Sequence, residues 1–249
     1  TSQHGLIFQK IAKQRGNEMA AKYLEVNQAA ICKYAKLAKG IDCEFERKTN
    51  YVYSINNRKA LEREIDVLMK LGFDAIFAEY TELPFRVAGA IGFSNQVQFH
   101  PLKFMATLAK DLHIYEHTYV KELKPHVAVT NQGNISFDQI IFATHFPIDN
   151  KHGMYFMKLY QHRSYVISYE QAQNVEGMYV DEAMGGMSFR NFGDSLLIGG
   201  GDHRTGKQGG AWKEIEDFAR EHYKEAREIA RWATQDCMTL DGIPYIGRY

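Results

Sequence analysis

The sequence predicts a mixed α/β fold of the α+β kind, with helices laid over open sheets. Two kinds of periodicity and one cluster of turns predict it. Several stretches repeat apolar residues every three or four positions, which suits helices with one buried face. Others alternate apolar and polar residues over five or six positions, which suits strands. The third observation is the run 120–147, VKELKPHVAVTNQGNISFDQIIFATHFP. Residues 127–129 and 135–137 flank the turn cluster Asn131-Gln132-Gly133-Asn134 and read as a hairpin. Ile140-Ile141-Phe142 is then a short apolar run that stops at the small residues Ala143-Thr144. A buried parallel strand ending at small residues leaves room for a ligand at its carboxyl end.

The elements follow in order. Residues 6–15 and 17–39 read as helices punctuated by Gly16 and Gly40, the second with Met19, Tyr23, Ala30, Tyr34 and Leu37 as one apolar stripe. Residues 50–55 read as a strand with Tyr51, Tyr53 and Ile55 on one face. Residues 57–71 form an amphipathic helix, with Leu61, Ile65, Leu68 and Met69 inward and Gly72 as its stop. Residues 75–78 are a strand. Pro101 opens a helix to Asp111, because proline suits the first helical turn. Strands are expected near 113–122, in the hairpin, at 140–143, and at 163–169, 178–180, 187–192 and 195–198. Gly193-Asp194 joins the last two as a hairpin turn. Residues 211–233 read as one long helix with Ile215, Phe218, Ala219, Tyr223, Ala226 and Ile229 inward.

Composition narrows the function classes. At 249 residues the chain holds one large or two modest domains with a real core. It is 45% hydrophobic and 24% charged, as soluble globular proteins are. Its 30 basic and 30 acidic residues cancel, which gives no support for a nucleic-acid or anionic-membrane partner. No apolar run approaches the roughly 20 residues needed to span a bilayer. Cys32, Cys43 and Cys237 lack C-x-x-C spacing, which argues against zinc or a disulfide framework and fits a reducing, cytoplasmic setting.

Four motifs in order, TSQHG, FHP, GGGDHRTG and TLDGIPYIG, together with the hairpin and Ala143-Thr144, resemble the FAD-dependent oxidoreductases of the D-amino-acid oxidase type, which include glycine and sarcosine oxidases. The resemblance covers essentially the whole chain. It implies an FAD-binding, Rossmann-like domain formed by residues 1–40, 88–151 and 233–249. A mostly antiparallel sheet domain, residues 41–87 and 152–232, would be interleaved with it, cover the flavin and bind the substrate. The family begins with a strand, a Gly-x-Gly-x-x-Gly turn and a helix that hold the FAD pyrophosphate. No such turn occurs in this sequence. The motif positions therefore suggest an internal fragment of a longer oxidoreductase, inactive alone. The alternative is a non-catalytic binding or interaction module derived from the same fold.

The resemblance also implies roles for particular residues. Val120, Ala143 and Thr144 would lie by the adenosine half of FAD. Asp241, Gly242 and Ile246 would lie near the ribityl chain or the ring, and His145 and Gly247 would also lie by the cofactor. His4, His100 and His203 would line the flavin face. Arg163 and Arg190 would offer guanidinium forks to a substrate anion over it. In relatives an arginine shortly after the histidine loop binds the substrate carboxylate; here Phe8 stands there, which puts an amino-acid substrate in doubt. The family reaction removes a hydride from carbon next to an amine, and the reduced flavin passes its electrons to oxygen or another acceptor.

FHPLKF, ATHFP and QHRSYVIS are similar to the branch with a C-terminal Rieske [2Fe–2S] domain, which would lie beyond this chain. Each histidine also has a plain reading, as a cap or a packed core residue. His100 sits where a helix begins, and the helix dipole there favours neutral imidazole. Gly201 to Lys207 matches part of a P-loop. However, Gln208 takes the magnesium-ligating position, and Gly209-Gly210 interrupt the helix that should follow.

Overall fold

The computed structural model describes residues 1–146, 148 and 153–247. Its helices are α1 (Ile7–Arg15), α2 (Asn17–Leu37), α3 (Arg58–Lys70), α4 (Pro101–Leu108) and α5 (Ala211–His222). Its strands are β1 (Glu46–Ser54), β2 (Ile76–Ala78), β3 (Gly89–Gln98), β4 (Val120–Lys124), β5 (Val127–Thr130), β6 (Asn134–Ser136), β7 (Leu159–Glu170), β8 (Met178–Asp181), β9 (Ser188–Phe192), β10 (Ser195–Arg204) and β11 (Arg227–Thr239). Eight strands form one sheet in the order β11-β7-β10-β9-β8-β1-β3-β2. Only β1 and β8 run parallel; the other pairs are antiparallel. The strands β4, β5 and β6 make a separate antiparallel meander.

The large sheet has two working faces, because successive side chains of a strand point to opposite sides. On the first face Tyr53, Tyr165, Ile167, Tyr169, Phe189 and Ile198 pack against Ile215 and Ala219 of α5. On the second, Val52, Ile91 and Phe93 pack against Phe8 and Ile11 of α1, Leu24 of α2 and Leu61 and Leu68 of α3. The tyrosines of the first face are packing residues, and Tyr51 stacks on Tyr179 with ring centres 4.8 Å apart.

The N-terminus of α1 is capped by another helix. Its preceding residue, Leu6, offers no side-chain acceptor. Glu64 of α3 reaches across instead and accepts the Phe8 and Gln9 amides at 2.9 and 2.7 Å. Two of the donors that a helix start leaves orphaned are thereby satisfied. Glu64 is fully buried. That burial pushes its carboxyl up to about 7, against the opposing pull of the two backbone N–H groups.

Several sequence expectations are corrected. The buried stripe of α2 is Ala20, Leu24 and Ile31, whereas Met19, Tyr34 and Leu37 are exposed. The true stripe has the same helical period but is rotated to face α1 and the sheet. Met69 and Ile55 are exposed as well. The strand expected near 113–122 begins only at Val120. The run Ile140-Ile141-Phe142 is no buried strand: it has no strand assignment, and Ile141 is 88% exposed. Among the described residues no neighbouring strand pairs with it, and a parallel strand exists only through its ladder.

The long helix expected over 211–233 stops at His222. Residues 227–239 turn back as β11 and pair with β7 from Arg227↔Glu170 to Thr239↔Leu159. The open edge of β7 outweighs the helical period there, as tertiary pairing often does. This sheet joins β3 and β11 to β1 and β7–β10, so it runs across the expected boundaries at 87/88 and 232/233. Part of the 88–151 segment lies outside the described residues.

Candidate active-site residues

The second sheet face gathers three of the expected site residues at one end. Along β3, Gln96 and Gln98 point to this face, one pleat apart. Gln96 Oε1 accepts the Ser2 amide at 2.6 Å and faces the Ser2 hydroxyl at 3.2 Å. It thereby anchors the segment 1–5, whose Ser2 and Gln3 are buried. His4 follows, with Nδ1 2.8 Å from the Tyr23 hydroxyl of α2. Burial lowers its pKa. Gln98 Oε1 accepts from the Arg190 guanidinium at 3.4 Å. The Gln98 amide nitrogen donates to Glu46 at 2.9 Å and to the Asn191 carbonyl at 3.0 Å. His100 comes two residues later and caps α4, where its Nδ1 accepts the Lys103 amide at 3.3 Å. Its ring meets Phe192 edge-on at 5.8 Å.

Arg190 is the electrostatic feature of this end. Its guanidinium is half-buried, and burial lowers its pKa, with the Glu46 charge only partly compensating. No carboxylate lies within ion-pair distance of it among the described residues, whereas the exposed Arg58 and Arg231 have partners. A partly desolvated cation without a counter-ion favours an incoming anion.

His203 and Arg163 sit elsewhere. They oppose each other across β10 and β7, on the α5 face of the sheet. Along β7, Arg163 lies five residues from Ser168, the position level with Leu197 and Arg190. At a strand rise of about 3.3 Å per residue that is roughly 16 Å. The expectation that both arginines face one ligand is therefore corrected: they lie on opposite faces. Side chains alternate along β7, so the odd separation of five residues turns Arg163 to the face opposite Arg190, and the bulge in β10 between Gly200 and His203 only brings His203 level with Arg163.

His203 is also fully engaged. Its Nδ1 lies 3.0 Å from the Arg204 carbonyl, which can only accept, so Nδ1 carries the proton. Nε2 then accepts from the Tyr165 hydroxyl at 3.0 Å. The strand runs on to Arg204 and α5 starts only at Ala211, so the phosphate-loop reading of Gly201 to Lys207 has no helix to support it.

The residues expected along the cofactor fall into two groups. Asp241 and Gly242 dock on α1: Asp241 Oδ2 accepts from Arg15 at 3.1 Å and its carbonyl from Lys10 at 2.8 Å. Gly242 has a φ of +78°. Ile246 and Gly247 are exposed beyond them. Val120 opens the meander, and Ala143 and Thr144 are exposed after the apolar run. His145 is linked to the sheet, its Nε2 accepting the Cys237 amide at 2.7 Å.

The pyrophosphate has no glycine turn in this sequence to receive it.

Sequence reasoning missed Gln96, Gln98 and Glu64. Nothing local marks them, since their roles come from strand register and from a helix two elements away.

The comparisons agree with this architecture. The family profile described as DAO, FAD dependent oxidoreductase, matches residues 4–249. The chain belongs to this family of FAD-dependent oxidoreductases. Among curated relatives, YhfW of Bacillus subtilis (strain 168), whose name calls it a Rieske 2Fe-2S iron-sulfur protein, is 30% identical, with 99% of this chain and 53% of YhfW aligned. The chain thus spans about half the length of YhfW.

Glycine oxidase from Geobacillus kaustophilus superposes with a TM-score of 0.75 at 17% identity, over 98% of this chain and 82% of that one. L-proline dehydrogenase from P. horikoshii gives 0.73 at 16%, over 91% and 70%. These likenesses show a shared fold. Among the described residues no helix is long and apolar enough to cross a membrane, and no group of His, Cys, Asp or Glu could hold a metal ion.

Proposed function

We propose that the intact protein oxidises a small amine or amino-acid-like substrate by hydride transfer to FAD. The observation that carries this reading is Arg190: a half-buried guanidinium with no carboxylate in ion-pair contact among the described residues, on the face where Gln96 anchors the 1–5 segment. FAD, when bound, supplies the acceptor for the hydride. The chain's own residues bind and orient. Arg190 takes a carboxylate in a two-pronged fork and Gln98 holds the guanidinium plane. His4 and His100 flank this anion site, and Phe104, Phe99 and Tyr34 pack beneath the α4 end. The substrate loses a hydride from carbon and a proton from nitrogen, and the resulting imine is hydrolysed.

Val120, Ala143, Thr144 and His145 would hold the adenosine half of the cofactor, and Asp241, Gly242, Ile246 and Gly247 the ribityl side. His203 and Arg163, on the other face, would steady the sheet. The electron acceptor is oxygen or a Rieske cluster carried outside this chain; the name of YhfW supports the second. The free thiols of Cys32, Cys43 and Cys237 suit a cytoplasmic setting.

Two measurements test this. The full-length gene product, purified without added cofactor, is expected to show flavin absorption bands, with iron–sulfur absorption in addition if the Rieske branch is right. A protein that stays colourless after incubation with FAD would favour the interaction module instead. Separately, acetate should bind the wild type, and Arg190→Gln should weaken it roughly tenfold, in line with loss of a charge-assisted pair. Equal acetate affinity in both proteins removes the anion site.

A further inference from the structure

A groove of about 440 Å³ lies between the C-terminal end of α2 and the start of β1, large enough for a small organic molecule. One side of it is the face of α2 that carries Cys32, Lys36 and Lys39, which follow one another at i, i+4 and i+7. The strand β1 contributes Arg47. The rest of the lining is apolar: Ala35, Ala38 and Phe45. Ala38 is buried in a small cluster with Phe104, and the Phe45 ring lies nearly flat on Phe99, with centres 6.2 Å apart and planes 19° apart. The groove therefore has a packed apolar floor, with cationic side chains around it.

These cations are not neutralised from within. Among the described residues no carboxylate lies within ion-pair distance of Lys36, Lys39 or Arg47, and Arg47 donates only to the Asn95 carbonyl, at 3.1 Å. Glu44 and Glu46, which flank Phe45, are paired with Lys103 and Lys48 instead. The carbonyls that end α2 contribute roughly half a negative charge, too little to offset Lys36, Lys39 and Arg47 together. We propose that this groove binds a small phosphate monoester with an apolar body, its phosphate on Lys36, Lys39 and Arg47 and its body on Phe45 and Ala38. A phosphate monoester carries about two negative charges at neutral pH, which suits a cluster of cations better than the single charge of a carboxylate. The lysine stems add apolar cover while their charged ends reach the phosphate. The site is distinct from the carboxylate site at Arg190 and does not rest on the amine-oxidation reading.

The test is alkylation of Cys32 in the full-length protein by iodoacetamide, an uncharged reagent, read by mass spectrometry of the Cys32 peptide. Cys32 is an exposed thiol in the groove, so an occupant shields it. Low ionic strength is used, because salt screens exposed cations. Phenyl phosphate is the probe, and inorganic phosphate offers comparable charge without the body. Phenyl phosphate is expected to halve the Cys32 rate at roughly one tenth of the concentration of inorganic phosphate that does so, the gain from covering its ring. The double variant Lys36→Gln/Lys39→Gln should need roughly tenfold more phenyl phosphate. Glutamine suits a helix about as well as lysine, so the variant should fold. A Cys32 rate that phenyl phosphate leaves unchanged overturns the inference. Equal protection by the two phosphates does so too, since it marks a merely cationic surface. Undiminished protection in the folded double variant also overturns it, and the wild-type comparison alone decides should that variant fail to fold. Flavin and acetate binding decide the oxidase reading, and Cys32 protection decides this one.

Discussion

Alanine at Gly201 is expected to destabilise the protein by roughly 3–5 kcal/mol, combining left-handed backbone strain with overpacking. Gly201 holds a φ of +61°, and a Cβ there would overlap the carbonyl oxygen of Ala211, the first residue of α5. A backbone atom cannot swing aside as a side chain can. To relieve the overlap α5 must move off the sheet or the bulge must collapse. Collapse would slip the last residues of β10 by one and exchange the faces of Asp202 and His203.

Gly206 provides the control. Its φ of +83° is equally left-handed, but nothing lies within 4 Å of its Cβ position. Gly206→Ala should therefore cost only about 1 kcal/mol, the backbone preference alone. Urea unfolding of both variants gives the comparison. Equal losses would mean that α5 does not press on the bulge, and the account of how Asp202 and His203 part company would fail.

Glu64 should give the chain a distinctive pH dependence. Its folded-state value of about 7 lies above the ordinary carboxyl value of 4.5, because burial disfavours the charge. The fold therefore binds a proton more tightly at Glu64 than the unfolded chain does. Its contribution is complete below about 4.5 and is lost as pH rises through about 7, an effect on the order of 3 kcal/mol. Other carboxylates run the opposite way, so the readout is a difference. The stability of Glu64→Gln relative to wild type should improve by that amount between about pH 4.5 and pH 8, within the order-of-magnitude reach of such a shift. Parallel curves would mean that Glu64 has the same pKa in the folded and unfolded chains. Because Glu64 holds the first amides of α1, Glu64→Ala should also loosen the segment 1–5, which amide exchange at Phe8 and Gln9 would register.

Much of the fold was legible because its signals are local. The helices at 7–15, 58–70 and 101–108 announce themselves by period and by Gly16, Gly72 and Pro101. The β5–β6 hairpin follows from its turn residues, and the β9–β10 hairpin from Gly193-Asp194. The motif order TSQHG, FHP, GGGDHRTG, TLDGIPYIG pointed to the family that the profile match then showed.

What failed depended on partners distant in sequence. The helical spacing read over 211–233 runs on past His222, yet the free edge of β7 recruits residues 227–239 as a strand. Residues 140–142 carry a strand's composition, yet no described strand pairs with them. The apolar stripe of α2 has the right period, but only α1 and the sheet fix which side turns inward.

The sequence by itself determined the chemistry available: which histidines, arginines and carboxylates the chain owns, and the family in which that inventory works. Only the tertiary structure decided their grouping. One extra residue in β10 sends His203 to the α5 face, level with Arg163, and Asp202 to the other, beside His162. Two glutamines one pleat apart on β3 hold the His4 segment and Arg190 respectively. Side-chain direction along a strand has a period of two, so a single slip in register reassigns a residue to the opposite face, and register is set by pairing that no local stretch of sequence contains.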